Sequence, residues 1–259
     1  MSCEAISMQM RLIGTHVILC GAAMLWVANA PAQAQQPTVS SMPTVRQPYD
    51  IEAFGAFRAL ILAGDFSAKV ELESVLARRP TTGVGALTDA RGEITIHDGR
   101  LIVSYGLEAP HPTAGTERAA LLAVATAASW QGISVEHDVA PDDVETFLAR
   151  LAASHGLDPE GPFPFQVRGT LAPYAMHVNV APTDGPHGMG QPIAITRDRK
   201  GEEIDGLIAG IYASRDLVGV VSHGGTRTHA HWIAPDGQST AHLDRWGLKS
   251  GATIRLPGP

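Results

Sequence analysis

The sequence predicts an α/β protein of the α+β kind: two mixed β-sheet subdomains with a few helices, and a candidate metal site on a β-hairpin of the second. Three observations predict it. Short amphipathic helical segments fall in the first half of the chain. Strand-like segments take over after Gly156 and run almost to the end. Three histidines, His229, His231 and His242, bracket a turn at Pro235-Asp236-Gly237-Gln238. The 259 residues suffice for one large domain or two small ones.

Composition narrows the class further. With 44% apolar residues and a net charge of −7, the chain is not of the disordered type. The acidic balance argues against nucleic acid, which calls for a basic patch or stripe.

Residues 1–34 read as a signal peptide. Arg11 precedes roughly fifteen mostly apolar residues, followed by two small-x-small sites, Ala28-Asn29-Ala30 and Ala32-Gln33-Ala34. An uncut N-terminal anchor is the competing reading, but the apolar core is shorter than the roughly 20 residues a spanning helix needs. A lipid anchor on Cys20 would need a small residue before it, and Leu19 is not small. Cleavage after Ala34 removes Cys3 and Cys20, the two cysteines of the chain. The exported chain, periplasmic or secreted, then has no disulfide available in an oxidising compartment. Packing and a metal are left to hold it. No later segment approaches about 18 consecutive apolar residues, so no membrane association is expected after cleavage.

The elements follow in order. Residues 35–49 are a polar, proline-bearing linker. Phe54, Phe57, Leu60 and Ile61 at helical spacing predict a helix over 51–63. A second is expected over 68–78, with Ser67 as N-cap. Strands over 85–87 and 93–97 follow, and Asp98-Gly99 supplies a tight turn into 100–105. Residues 121–127 are apolar and alanine-rich, and fit helix or strand. A helix over 142–154 carries Asp142, Asp143 and Glu145 at its positive end. Strands are expected over 163–171, 174–180, 192–196, 204–212 and 217–221. An N-terminal α/β subdomain thus spans 50–160, and a C-terminal β-rich subdomain spans 161–259.

The histidine pattern carries chemistry. Alternation along a strand puts His229 and His231 on one face. A two-residue loop at Asp236-Gly237, or a four-residue loop over 235–238, puts His242 opposite His231 with side-chain roots about 5 Å apart. Pro235 favours the longer loop, because it lacks the N–H that the tighter one uses. Three imidazoles on one face suit zinc or another divalent metal with a position left for substrate. His-x-His alone is a weak signal, since strand histidines are often merely solvated.

These residues resemble a family. His229-x-His231, ten residues, then His242-Leu243-Asp244 is similar to the metal-binding hairpin of the acetolactate decarboxylases, with Ala241 where that pattern has glycine and the aspartate one residue nearer the histidine. The segments over 83–99, 162–170 and Gly206-Leu207-Ile208-Ala209-Gly210 agree in the same order. The resemblance covers about 200 residues, from Phe57 onward. It implies metal-dependent decarboxylation of 2-acetolactate to acetoin and carbon dioxide, with His229, His231 and His242 as ligands of Zn2+ or another divalent ion. It also implies Glu93 as a catalytic carboxylate, through its Gly92-Glu93-Ile94 context. From the residues alone, Glu93 reads as a solvent-facing strand residue, sharing its face with Thr95 and His97.

Two departures accompany the resemblance. The family's catalytic arginine falls on His177, which can donate a hydrogen bond but is not a permanent bidentate cation. Arg227, two residues before His229, is expected to supply the missing charge. The family's C-terminal carboxylate has no counterpart, since no acidic residue follows Asp244. His223, before Gly224-Gly225, is expected at a surface or pocket rim. His111, His137, His155 and His187 are expected to face water, and Trp232 and Trp246 to cover a sheet.

The expected partner is a small 2-hydroxy-3-keto acid, with a homodimer as the expected assembly. Two other readings stand beside the decarboxylase. One is a non-catalytic periplasmic protein that binds a keto acid through a retained metal hairpin. The other is a metal-dependent enzyme acting on another small keto or hydroxy acid.

Overall fold

Gly55 divides the first expected helix into a strand and a shorter helix. The computed structural model describes residues 47–105, 117–180 and 195–258. The leader, most of the linker, His111, His187 and the start of the strand expected over 192–196 lie outside them. β1 (Tyr49–Phe54) pairs antiparallel with β6 (Arg118–Ala127), which resolves the helix-or-strand ambiguity of the alanine-rich segment as strand. Gly55 then turns at φ 77°, and α1 (Phe57–Ala63) begins. A Cβ on Gly55 would meet the Ala120 carbonyl at 2.3 Å, so glycine is needed where the chain leaves the sheet.

The second expected helix also shortens. Val70–Glu71 is a short strand, β2, on β6, and α2 covers Leu72–Leu76 with Leu72 and Val75 buried. Ser67 caps nothing; its hydroxyl donates to Asp65 at 2.5 Å. β3 (Thr82–Leu87), β4 (Glu93–His97) and β5 (Arg100–Ser104) complete the first sheet, in the order β1-β6-β3-β4-β5. Between β4 and β5, Asp98 and Gly99 have φ of 48° and 79°, the left-handed pair that the expected tight hairpin requires.

The second sheet holds β7 (Trp130–Ser134), β8 (Phe163–Val180), β9 (Ile195–Gly201), β10 (Ile204–Tyr212), β11 (Thr228–Ile233), β12 (Thr240–Leu248) and β13 (Thr253–Pro257). α3 (Val144–Ser154) follows a 3-10 turn at Pro141–Asp143, close to the expected helix. β8 joins two expected strands into one of 18 residues. It changes one partner at the join: β10 pairs with it up to Leu171 and β9 takes over from Tyr174, while β12 spans the join from Leu171 to His177. Ala172 and Pro173 have no partner in these registers, so the missing proline N–H costs no ladder bond. Pairings β10–β11, β11–β12, β12–β8 and β8–β10 close on themselves. Residues 217–221 form a turn rather than the expected strand, with Val220 and Val221 N–H groups both donating to the Leu217 carbonyl.

All pairings between these strands are antiparallel, so the sheets are not mixed. β7, from before residue 160, belongs to the second sheet, so the two sheets do not divide at that residue. Val84, Ile102, Ala123 and Ala125 of the first sheet pack against Ala209, Ile211 and Ile233 of the second. Ile94 and Ile96 face a separate core with Leu72 and Val75. The polar face of β4 therefore points at the second sheet, where Glu93 and Thr95 are buried.

Candidate metal centre

The β11–β12 hairpin has the expected register, with His231 opposite His242 and Ile233 opposite Thr240. Its loop is the four-residue form: Ala234 N–H donates to the Ser239 carbonyl, and Gly237 N–H donates back to the Ala234 carbonyl. His229, His231 and His242 are buried, and one ring nitrogen from each lies within 4.8 Å of the others. His229 Nε2 is 3.2 Å from His231 Nε2, and His242 Nδ1 is 3.4 Å from that same atom.

The surrounding hydrogen bonds fix two tautomers. The Val221 carbonyl, 2.9 Å from His229 Nδ1, only accepts, so Nδ1 carries the proton and Nε2 a lone pair. Thr240 Oγ1 donates to the Trp232 carbonyl at 2.8 Å. It must then accept from Thr95 Oγ1, 2.6 Å away, and Thr95 in turn accepts from His231 Nδ1 at 2.9 Å. His231 Nε2 is thus also a lone pair, facing that of His229 with no proton between them. Burial first, and neighbouring imidazoles second, push all three rings well below the ordinary histidine value, so they stand neutral. Neutral, buried and convergent nitrogens held by outer partners are what a divalent cation requires, and the donor set fits one.

Glu93 borders this cluster. Its Oε1 accepts from the Asn179 main-chain N–H at 2.9 Å and side-chain amide at 2.7 Å, and its Oε2 lies 3.7 Å from His231 Nε2. Burial pushes its carboxyl up to about 7, against the opposing pull of His177 and Asn179. His177 stands opposite His242 across β8–β12, with ring centroids 4.8 Å apart. Its Nδ1 donates to Asp244 at 2.8 Å. Burial alone would lower His177, but Asp244 and Glu93 outweigh it and raise the ring above its ordinary value.

No family model matches the sequence, and no curated protein matches it. Solved structures do. An alpha-acetolactate decarboxylase from Bacillus subtilis strain 168 has a TM-score of 0.64 at 16% identity, covering 80% of this chain and 85% of that one. An acetolactate decarboxylase from Bacillus subtilis subspecies spizizenii has a TM-score of 0.66 at 14% identity, covering 81% and 86%. A Staphylococcus aureus protein of unknown function, described as similar to alpha-acetolactate decarboxylase, has a TM-score of 0.61 at 16% identity, covering 80% and 84%. The chain has the acetolactate decarboxylase fold.

Within that fold, the five residues singled out from the sequence gather at one place: His229, His231 and His242 together, with Glu93 and His177 beside them. Arg227 does not join them. It precedes β11, and its guanidinium lies over Tyr212 at 4.5 Å and bonds the Ala213 carbonyl at 2.8 Å and Glu160 at 3.2 Å. His223 is half-buried, its ring centroid 4.1 Å from that of Phe57 and 5.0 Å from that of His242. His137 is exposed, while His155 is half-buried at the end of α3; Trp232 and Trp246 are buried.

Four contributors carried no assigned role in the sequence reading. Thr95 holds His231, Asn179 holds Glu93, Asp244 holds His177, and Phe57 packs its ring 4.7 Å from His229. Strand period two was an available signal for Asn179, which shares a face with His177. The acetolactate decarboxylase fold also brings α1 over the site, its first two N–H groups donating to the Val220 and Gly219 carbonyls.

Proposed function

We propose that the protein decarboxylates 2-acetolactate to acetoin and carbon dioxide with a divalent metal, zinc in the first instance, held by His229, His231 and His242. The observation that carries this reading is the convergence of neutral, buried imidazole nitrogens beside the Oε2 of Glu93. The fold likeness supports the same reaction class. The cation's contribution is Lewis acidity toward a substrate keto oxygen, where negative charge collects as carbon dioxide leaves.

The chain's own residues supply the rest. Glu93, held near neutrality by burial, can both take up and release a proton at Oε2 while Asn179 occupies Oε1. His177 donates through Nδ1 to Asp244, which leaves Nε2 for the substrate carboxylate in place of an arginine. Phe57 closes the apolar side and restricts water. Among the described residues no helix is long and apolar enough to cross a membrane. The leader pattern of residues 1–34 adds an exported location to the reading.

The test is direct. Purified zinc-loaded protein is mixed with 2-acetolactate, and acetoin is followed against the spontaneous reaction. Acetoin formed above that background supports the reading. Saturable binding of the keto acid without turnover contradicts it and favours a binding protein.

A further inference from the structure

The β12 strand is irregular at one residue. Leu243 pairs with Met176 of β8, and Arg245 pairs with the very next residue, Ala175. Asp244 is therefore the extra residue of a β-bulge, with no partner of its own on β8. Bulges re-aim side chains, and they concentrate beside functional sites. Here the carboxylate is aimed at His177, which stands opposite His242, two residues before the bulge. The adjacent cation does not compete for it, because Arg245 reaches Asp142 at 2.5 Å. In register, β9 brings Asp198 opposite His177, yet the imidazole hydrogen bond goes to Asp244.

We propose that Asp244 is a positioning residue for His177. A carboxylate oxygen only accepts a hydrogen bond, so the 2.8 Å contact commits Nδ1 of His177 as the donor and fixes both the ring's orientation and its tautomer. Nε2 is then the atom presented to a bound substrate carboxylate. The bulge turns a single imidazole, which lacks the built-in fork of a guanidinium, into a group of defined direction. The proposal rests on the reading that His177 meets substrate, but it makes a claim about ring orientation that can be checked without turnover.

Two arms test it on zinc-loaded protein. Long-range proton–nitrogen NMR of the histidine rings, with His177 assigned by its loss in His177→Gln, reads the tautomer at alkaline pH. The wild type shows the Nδ1–H form, Asp244→Asn retains it because the amide oxygen still accepts, and Asp244→Ala shows the other tautomer or a mixture. An unchanged ring in Asp244→Ala overturns the proposal, whatever the protein's activity. Steady-state kinetics on 2-acetolactate form the second arm. Asp244→Ala loses between about 10- and 100-fold in kcat/KM, the range expected when a substrate-orienting group is misplaced. The loss lies mainly in KM, Asp244→Asn restores most of it, and adding Asp244→Ala to His177→Ala costs nothing further. Losses that multiply in the double variant, or a metal stoichiometry that falls with Asp244→Ala, overturn it as well.

Discussion

Thr95 on the first sheet accepts a hydrogen bond from the Nδ1–H of His231 on the second, at 2.9 Å. The contact ties a histidine of the candidate metal site to the opposite sheet and, through Thr240, to the backbone of its own hairpin. Outer partners of this kind orient the ring and set its basicity. Replacing Thr95 with valine keeps the shape and removes the acceptor. Zinc affinity, measured by competition with a chromophoric chelator, is expected to fall by about 10- to 100-fold. An unchanged affinity would show that the Ile94 main chain and packing hold the ring without Thr95.

Glu93→Gln separates proton transfer from metal binding. The glutamine can still accept from Asn179, so one zinc per chain should persist by metal analysis. The rate constant kcat is expected to drop about 100-fold or more, the scale of a lost general acid or base. Retained kcat would remove Glu93 from the reaction.

Acid should destabilise the metal-free protein. Burial lowers the folded-state values of His229, His231 and His242, so their contribution is complete above about 6.5 and is lost as pH falls. Glu93 has the opposite sign: raised from 4.5 to about 7, its contribution is complete below 4.5 and is lost as pH rises. His177, also raised, has the sign of Glu93, while His97 and His223, lowered by burial, side with the three buried histidines, so five groups outweigh two. Tm of the metal-free protein should therefore fall from pH 7 toward pH 5, roughly the window these shifts define. His231→Ala should flatten the slope, and a Tm that rises with acid in both proteins would contradict the assignment.

Glu145, near the start of α3, anchors the strand that carries His229 and His231. Its Oε1 accepts from the Arg227 and Thr228 main-chain N–H groups at 2.6 and 3.0 Å, and from the Thr228 hydroxyl at 3.1 Å. Glu145→Ala leaves these donors unpaired and should cost about 1–3 kcal/mol in urea unfolding. One zinc per chain should still bind, because no ligand is touched.

The features that could be read from the sequence were the local ones. Asp98-Gly99 dictates its turn, and Pro235 favours the four-residue loop that puts His231 opposite His242. Where local patterns failed, tertiary pairing had overridden them. Residues 51–54 have helical spacing, yet pair with β6, and residues 217–221 look like strand, yet curl into the turn whose Val221 carbonyl holds His229. The β4 alternation was clear, but not that its polar face is buried against a second sheet, which is what turns Glu93 and Thr95 into site residues. Asn179 and Asp244 escaped because their roles depend on contacts 86 and 67 residues away in the chain. No periodicity records such distances. Arg227 shows the converse, a correct residue type at a suggestive spacing that the fold spends on Glu160 and Tyr212.

One titration tests the central claim most directly. Protein stripped with a chelator is resupplied with zinc in fractions of an equivalent, and acetoin production from 2-acetolactate is measured at each point. Activity is predicted to be absent without metal, to rise linearly and to break at one equivalent per chain, with His231→Ala inactive throughout. Full zinc occupancy with no acetoin above the spontaneous rate, or full activity in the stripped protein, would contradict the account.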